Sequence, residues 1–227
     1  MQLPECVEVS TGNEVDGAVI WLHGLGADGH DFEPVVPELR LPQELQLRFV
    51  FPHAPVRPVT LNGGVPMRAW YDIFSIERDG PIDEEGIRQS ADTLVALIER
   101  EHQRGVPFDR IVVAGFSQGG AIACHSALRY SHKLAGLMAL STYMPLRSTL
   151  PNEVAESDTR QSTDLPIFMA HGTYDPVLPY HLGTGSRDTL QSLGYTVEWH
   201  EYPMQHAVCA DEIADIRHWL TGCYNRP

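Results

Sequence analysis

The thirteen residues from 111 to 123, IVVAGFSQGGAIA, constrain the fold more than any other stretch of the chain. Their β-branched and small apolar residues predict a strand covered on both faces, and helical spacing resumes directly after Ser117. Gly115 and Gly119 flank the serine in the pattern GxSxG, because so sharp a turn leaves no room for side chains two positions away. The stretch therefore predicts a nucleophile elbow, with the Gln118 N–H facing the same space as the serine hydroxyl.

The pentapeptide alone is a weak signal, because glycine and serine are both common residues. A second interpretation makes Ser117 only the N-cap of the following helix, which explains the same residues without any chemistry. The position between a buried strand and an apolar-faced helix favours the nucleophile. The rest of the chain then has to supply an acid and a base.

Composition limits the classes of protein and of ligand. A chain of 227 residues can bury a large core as a single α/β domain over residues 1–227, without disulfides or metals. The formal charge of −14 argues against nucleic acid as a partner and against stable membrane association. The four cysteines form no CxxC pair, and no window is apolar enough for a signal peptide or a membrane span. We therefore expect a cytoplasmic protein with reduced thiols.

A second glycine-rich stretch, HGLGADG at residues 23–29, follows the apolar run 18–22. It matches the dinucleotide fingerprint GxGxxG, but the turn continues through residues 28–31, where that fingerprint needs a helix. The next predicted strand, residues 47–51, also ends in PHAP rather than in an acidic residue. In a serine hydrolase the same loop points a backbone N–H at the substrate oxygen, and Leu25 is the candidate donor.

Apolar strands and helices alternate along the chain. The clearest helix spans 83–104, where apolar residues recur at i, i+4, i+7, i+8 and i+11 before Gly105. This alternation predicts an α/β fold with a mainly parallel sheet, helices on both faces, and a site at the carboxyl ends of the strands. After the elbow, strands are predicted at 134–140, 166–170 and 195–202, and helices at 180–193 and 209–220.

Two long segments lack a sustained period and are predicted to be loops. Residues 56–82 are rich in proline, glycine and aromatic residues, and a polar passage follows residue 141 and ends at Asp164. The first loop contains Met67, Trp70, Tyr71 and Phe74. Packing against the core explains these four side chains as well as lining a pocket does.

Serine hydrolases of this fold carry their triad in the order serine, acid, histidine, with the last two on loops after later strands. Asp175 follows the strand at 166–170, and His206 is the histidine that lies in a turn after a later strand. Asp175 could serve only to cap its turn, and a single loop histidine is usually a surface residue. The ordered set with Ser117 favours the catalytic interpretation.

Five ordered segments resemble the small phospholipase/carboxylesterase family, which includes acyl-protein thioesterases and bacterial carboxylesterases. They are LHGLG (22–26), FPHAP (51–55), GFSQGG (115–120), HGTYDPV (171–177) and MQH (204–206). The resemblance implies an α/β-hydrolase fold. It also implies a triad of Ser117, Asp175 and His206, and oxyanion donors at Leu25 and Gln118. The residues that it implies for an acyl groove are Met67, Trp70, Tyr143 and Met144.

One departure from the family pattern bears on the substrate. Tyr143-Met144 stands where eukaryotic thioesterases commonly carry a Trp-Leu pair. We therefore expect a serine carboxylesterase that hydrolyses short- to medium-chain acyl esters, with an acyl-protein thioesterase or lysophospholipase acting on longer chains as the alternative. A non-catalytic binder of apolar ligands is the competing class.

The mechanism expected for such a triad limits what else the protein needs. Water completes the reaction after the acyl-enzyme forms, so no metal or organic cofactor is expected. The expected partner is a small-molecule acyl ester or thioester. The apolar loop residues suit a homodimer as well as a substrate.

Overall fold

A seven-stranded sheet forms the centre of the computed structural model, which describes residues 3–75, 80–156 and 163–225. The strands are β1 (Cys6–Ser10), β2 (Gly17–Leu22), β3 (Leu47–Pro52), β4 (Val56–Val59), β5 (Val65–Arg68), β6 (Ile111–Phe116), β7 (Gly136–Leu140), β8 (Ile167–Gly172) and β9 (Val197–Tyr202). The sheet has the order β1-β3-β2-β6-β7-β8-β9, while β4 and β5 form a separate hairpin. Of its pairings in the described ranges, β1 with β3 is antiparallel and the others are parallel.

Helices cover both faces of this sheet. They are α1 (Val35–Glu38), α2 (Glu84–Gln103), α3 (Gln118–Ala127), α4 (Leu150–Glu156), α5 (Tyr180–Ser192) and α6 (Ala210–Tyr224). The long helix predicted at 83–104 is α2, whose first turn is capped by the Asp83 carboxylate accepting from the Gly86 N–H at 2.9 Å. Among the described residues, no helix has both the length and the apolar composition that a bilayer crossing requires.

Two apolar layers lie on opposite faces of the sheet, because successive strand residues point to opposite sides. On β2, Ile20 and Leu22 contribute to the layer that packs against α2, α3 and α5. Val19 and Trp21 contribute to the other layer, which packs against α1 and α6. The predicted α/β fold with a mainly parallel sheet and helices on both faces is therefore confirmed.

The two segments predicted to be loops contain short elements. Strands β4 and β5 lie within 56–82 and are joined through Gly63 and Gly64, whose φ angles of 67° and 77° suit glycine. Helix α4 lies within the polar passage after residue 141. The prediction of an unbroken loop is therefore wrong at β4 and β5 in the first segment and at α4 in the second. Residues 76–79 and 157–162 of the predicted loops lie outside the described residues.

The carboxyl ends of the parallel strands position the candidate site. Strands β2, β6, β8 and β9 end at Leu22, Phe116, Gly172 and Tyr202. Parallel strands place these ends along one edge of the sheet. Each end is followed within four residues by Leu25, Ser117, Asp175 and His206, respectively. The topology thus brings four distant segments to one edge.

Candidate active site

Ser117 lies in a strained turn between β6 and α3. Its φ and ψ angles are 53° and −121°, a conformation that L-residues rarely adopt and that is often found at functional sites. The turn is held from both sides, because the Ser117 N–H donates to Leu140 O at 2.9 Å and the Ser117 carbonyl accepts from Thr142 Oγ1 at 2.6 Å. A Cβ at Gly115 would lie 2.4 Å from the backbone of Gly119. The two glycines therefore permit this close strand-to-helix contact.

Ser117, His206 and Asp175 meet in one hydrogen-bonded chain. His206 Nε2 lies 2.9 Å from Ser117 Oγ, and His206 Nδ1 lies 2.6 Å from Asp175 Oδ2. A carboxylate only accepts hydrogen bonds, so the ring hydrogen belongs on Nδ1 and Nε2 accepts from the serine hydroxyl. This is the arrangement in which an imidazole can remove the proton of a serine.

The Asp175 carboxylate is fixed by its own loop. Asp175 Oδ1 accepts from the N–H groups of Val177 and Leu178 at 2.8 and 2.9 Å. His171 Nε2 lies 3.6 Å from Asp175 Oδ2 and donates to Leu178 O at 2.9 Å. Burial lowers the pKa of His171, although the Leu178 carbonyl and Asp175 oppose the effect, so a neutral imidazole is favoured there. His171 therefore supports the loop without adding a positive charge.

The two residues expected to supply oxyanion donors lie beside the serine. Leu25 and Gln118 both line the cavity that contains Ser117 and His206. Gln118 is the first residue of α3, and the first N–H groups of a helix have no partner within the helix. The Leu25 loop is attached to β5 by a hydrogen bond from the Gly26 N–H to Arg68 O at 2.8 Å. Leu25 and Gln118, the two residues that the sequence predicts as oxyanion donors, thus both lie at the cavity.

A cavity of about 460 Å³ opens beside the serine, within the range of small-molecule sites. Its walls are mostly apolar and come largely from connecting segments, with Phe116 from β6 and Leu182 from α5. The apolar and aromatic lining residues are Leu25, Ala27, Leu61, Tyr71, Ile73, Ile82, Phe116, Tyr143, Val177, Leu178 and Leu182. Such a surface suits a hydrocarbon chain better than a charged group.

The four residues expected in an acyl groove have different positions. Tyr143 lines the cavity, and its hydroxyl lies 3.0 Å from that of Tyr71. Trp70 and Met144 are buried, and neither is part of the cavity wall as formed by the described residues. Met67 lies on β5 and is not a lining residue itself, but its sulfur accepts at 3.4 Å from Nδ2 of Asn62, which lines the cavity.

The sequence interpretation missed much of the cavity wall. Tyr71 belongs to the loop residues for which the sequence leaves lining a pocket as an open alternative, and it does line the cavity. Val177 and Leu178 follow Asp175 by two and three residues, so proximity to a predicted site residue could have suggested them. Leu182 lies on α5, where nothing in the sequence distinguishes it from other helical apolar residues. Leu61 lies in the turn of the unpredicted β4–β5 hairpin.

The fold and the residues at this edge of the sheet define an α/β-hydrolase whose strained turn carries a serine beside a histidine and an aspartate. The phospholipase/carboxylesterase family model matches residues 4–224, and the chain belongs to this family. The resemblance expected from the five motifs is thus confirmed, and the protein is a hydrolase of carboxylic esters or thioesters.

Individual relatives cover nearly the whole chain. Acyl-protein thioesterase 1 of Neurospora crassa is 43% identical over 210 residues, which is 89% of this chain and 85% of that protein. Acyl-protein thioesterase 1 of Cryptococcus neoformans is 36% identical, covering 94% of this chain and 95% of that protein. The crystal structure of Zea mays acyl-protein thioesterase 2 aligns with a TM-score of 0.87 at 30% identity, over 97% of this chain and 99% of that chain.

Proposed function

We propose that the protein is a serine thioesterase of the acyl-protein thioesterase kind, which also hydrolyses oxygen esters, with Ser117 as its nucleophile. The supporting observation is the hydrogen-bonded chain from Asp175 through His206 to Ser117 beside an apolar cavity. The names of the relatives favour this activity over the short- to medium-chain carboxylesterase that the sequence alone favoured. The carboxylesterase is the second candidate, because Tyr143 lines the cavity.

The first step is attack by Ser117 on the acyl carbonyl carbon. His206 Nε2 accepts the serine proton as the new C–O bond forms. The Asp175 carboxylate holds the Nδ1–H tautomer of His206 and stabilises the imidazolium that results. The Asp175 loop is itself fixed by two backbone N–H donors, so the imidazole has one orientation.

The carbonyl oxygen becomes an oxyanion, to which the N–H groups of Leu25 and Gln118 donate hydrogen bonds. Loss of one such donor typically costs about 10²–10³ in rate. His206 then protonates the leaving thiol or alcohol, and water repeats the sequence on the acyl-enzyme to release the fatty acid. The acyl chain lies along the apolar wall, where its burial contributes roughly 0.8 kcal/mol per CH₂.

The test of the nucleophile compares two serines of one neighbourhood. Ser117→Ala is expected to lower turnover of an acyl thioester by about 10⁴- to 10⁶-fold, because the triad acts as a unit. Ser126→Ala is the matched control, since Ser126 is buried on α3 and its Oγ has no hydrogen-bond partner in the described part of the chain. Circular dichroism should show both variants folded. Turnover that survives Ser117→Ala would refute the proposal.

Chain length separates the two candidate activities. kcat/KM should be measured for p-nitrophenyl esters of two to sixteen carbons and for acyl-peptide thioesters of the same lengths. A maximum on long-chain thioesters supports the thioesterase. A maximum on short- or medium-chain oxygen esters supports the carboxylesterase instead. Ligand binding by the wild-type protein without turnover of either series would indicate a non-catalytic binder.

A further inference from the structure

The buried amide side chain of Gln118 joins the start of α3 to a segment that follows β5. Gln118 Oε1 accepts from the Trp70 N–H at 2.8 Å, and Gln118 Nε2 donates to Tyr71 O at 2.7 Å. A donor and an acceptor of one amide are thus both satisfied by neighbouring backbone groups. The position of Trp70 is therefore fixed relative to Gln118, which lines the cavity.

The indole of Trp70 continues this connection toward the Leu25 loop. Trp70 Nε1 donates to His23 O at 2.9 Å. His23 Nε2 accepts from the Ala54 N–H at 3.0 Å, so its ring hydrogen belongs on Nδ1, which donates to Gly24 O at 2.7 Å. Burial lowers the pKa of His23 to about 4, although the Gly24 carbonyl opposes it, so the imidazole stays neutral near pH 7.

These hydrogen bonds act on the peptide planes of a glycine-rich loop. The carbonyl of Gly24 and the N–H of Leu25 belong to one rigid trans peptide unit, so fixing the carbonyl fixes the direction of that N–H. The preceding peptide unit is fixed by the bond from Trp70 to the His23 carbonyl. Glycines on both sides of Leu25 would otherwise leave this loop conformationally free.

We propose that Trp70 is a positioning residue, which together with the Gln118 amide and the His23 ring holds the Leu25 and Gln118 N–H groups in the relative geometry that receives the oxyanion. The inference rests on the proposed function. In this role Trp70 supports the oxyanion donors from the protein interior and does not contact the acyl chain. Oxyanion donors are effective because they are oriented before reaction, so loosening one of them lowers the rate without weakening ground-state binding.

A matched pair of tryptophans tests this role. Trp70→Phe removes the indole N–H that reaches His23, whereas Trp21→Phe removes an equally buried indole whose Nε1 has no hydrogen-bond partner among the described residues. We expect Trp70→Phe to lower kcat for an acyl thioester roughly 10- to 100-fold, less than complete loss of a donor. KM should change less than threefold, and Trp21→Phe should stay within threefold of wild type in both constants.

Three further readouts distinguish positioning from general damage. Affinity for an acyl trifluoromethyl ketone, which forms a tetrahedral oxyanion with the serine, should fall in parallel with kcat/KM in Trp70→Phe. Affinity for the fatty acid product should not change. The acidic limb of the pH profile of kcat/KM should keep its wild-type midpoint, because the Ser117, His206 and Asp175 contacts are unaltered.

A shape-preserving replacement guards against a folding defect. 3-Benzothienylalanine at position 70 keeps the bicyclic ring but has no N–H, and the same residue at position 21 is its control. Wild-type kcat and ketone affinity with this residue at position 70 would overturn the inference. Ser117→Ala in the same series separates the two proposals: if it retains turnover, the proposed function fails. If it abolishes turnover while the Trp70 and Trp21 variants behave alike, the positioning role alone fails.

Discussion

Gly119 lies where α3 comes close to the end of β2, and Gly119→Ala tests whether this contact sets the geometry of the candidate site. A Cβ at this position would lie 2.4 Å from Leu22 O and 2.5 Å from His23 O. Ordinary contact begins near 3.4 Å, so backbone must move by about 1 Å. Neither oxygen can rotate away, because both belong to the main chain. The movement therefore separates the segments that carry Gln118 and Leu25.

This displacement sets the expected size of two effects of Gly119→Ala, the decrease in rate and the decrease in stability. A shift of about 1 Å in a positioning element can lower the rate by about 10²-fold. Overpacking costs roughly 1–3 kcal/mol. For a chain of this length that range corresponds to a decrease in Tm of about 2–12 °C. We therefore expect kcat/KM to fall about 100-fold in a protein that remains folded at 25 °C.

The assay combines thioester kinetics at 25 °C with differential scanning calorimetry. Gly222→Ala is the control, since this glycine lies in α6 and no described atom lies within 4 Å of the added Cβ. That substitution should leave kcat/KM unchanged and add up to about 1 kcal/mol of stability, because alanine is the better helix former. Wild-type kcat/KM in Gly119→Ala would refute the argument that this backbone contact sets the geometry of the oxyanion donors.

Three other substitutions have predicted outcomes, two at buried titratable groups and one at the cavity wall. Burial raises the pKa of Glu212 to about 8, so ionisation of this carboxyl in the unfolded chain progressively lowers the free energy of unfolding above pH 4.5. Glu212→Gln should remove this decrease and add up to about 4 kcal/mol at pH 8, as measured by urea titrations at pH 5 and 8. Burial, with Arg129, lowers the pKa of His125 to about 3, so protonation of this histidine in the unfolded chain lowers the free energy of unfolding as pH falls below 6.5. The free energy of unfolding of His125→Gln should therefore fall by about 3 kcal/mol less than that of wild type by pH 4, measured by urea titration. Tyr143→Phe removes one hydroxyl from the cavity wall, and KM for long-chain relative to short-chain esters should fall about two- to fivefold in steady-state kinetics.

The sequence could predict those parts of the fold whose side chains repeat with a clear period. The helix predicted at 83–104 forms over Glu84–Gln103, and the buried strand before Ser117 forms over Ile111–Phe116. Helix α4 has no such pattern, and its Glu153 is bound by Arg88 at 2.7 Å and Arg129 at 2.5 Å. Contacts between residues so far apart in the chain stabilise a polar segment that local propensity does not identify.

The candidate site shows the same division. The order of Ser117, Asp175 and His206 could be combined with the rule that strand ends share an edge, and this limited the candidates to three side chains. The orientation of Trp70 could not be obtained in this way, because it depends on hydrogen bonds to Gln118 and His23, which are 48 and 47 residues away. An aromatic residue in a loop carries no sequence signal for the direction of its side chain.

Part of the cavity wall lies outside the seven-stranded sheet, whereas the proposed reacting groups follow strands of that sheet. Ser117, Asp175 and His206 follow strands whose pairing in the sheet fixes their separation. The wall near Leu61 and Ile73 lies instead on the connection from β4 to α2, outside the seven-stranded sheet. Substitutions in that connection can alter the length and polarity of the cavity while the hydrogen bonds of the proposed triad persist. We therefore expect substitutions at Leu61 or Ile73 to change the acyl-chain preference without breaking the contacts among Ser117, His206 and Asp175.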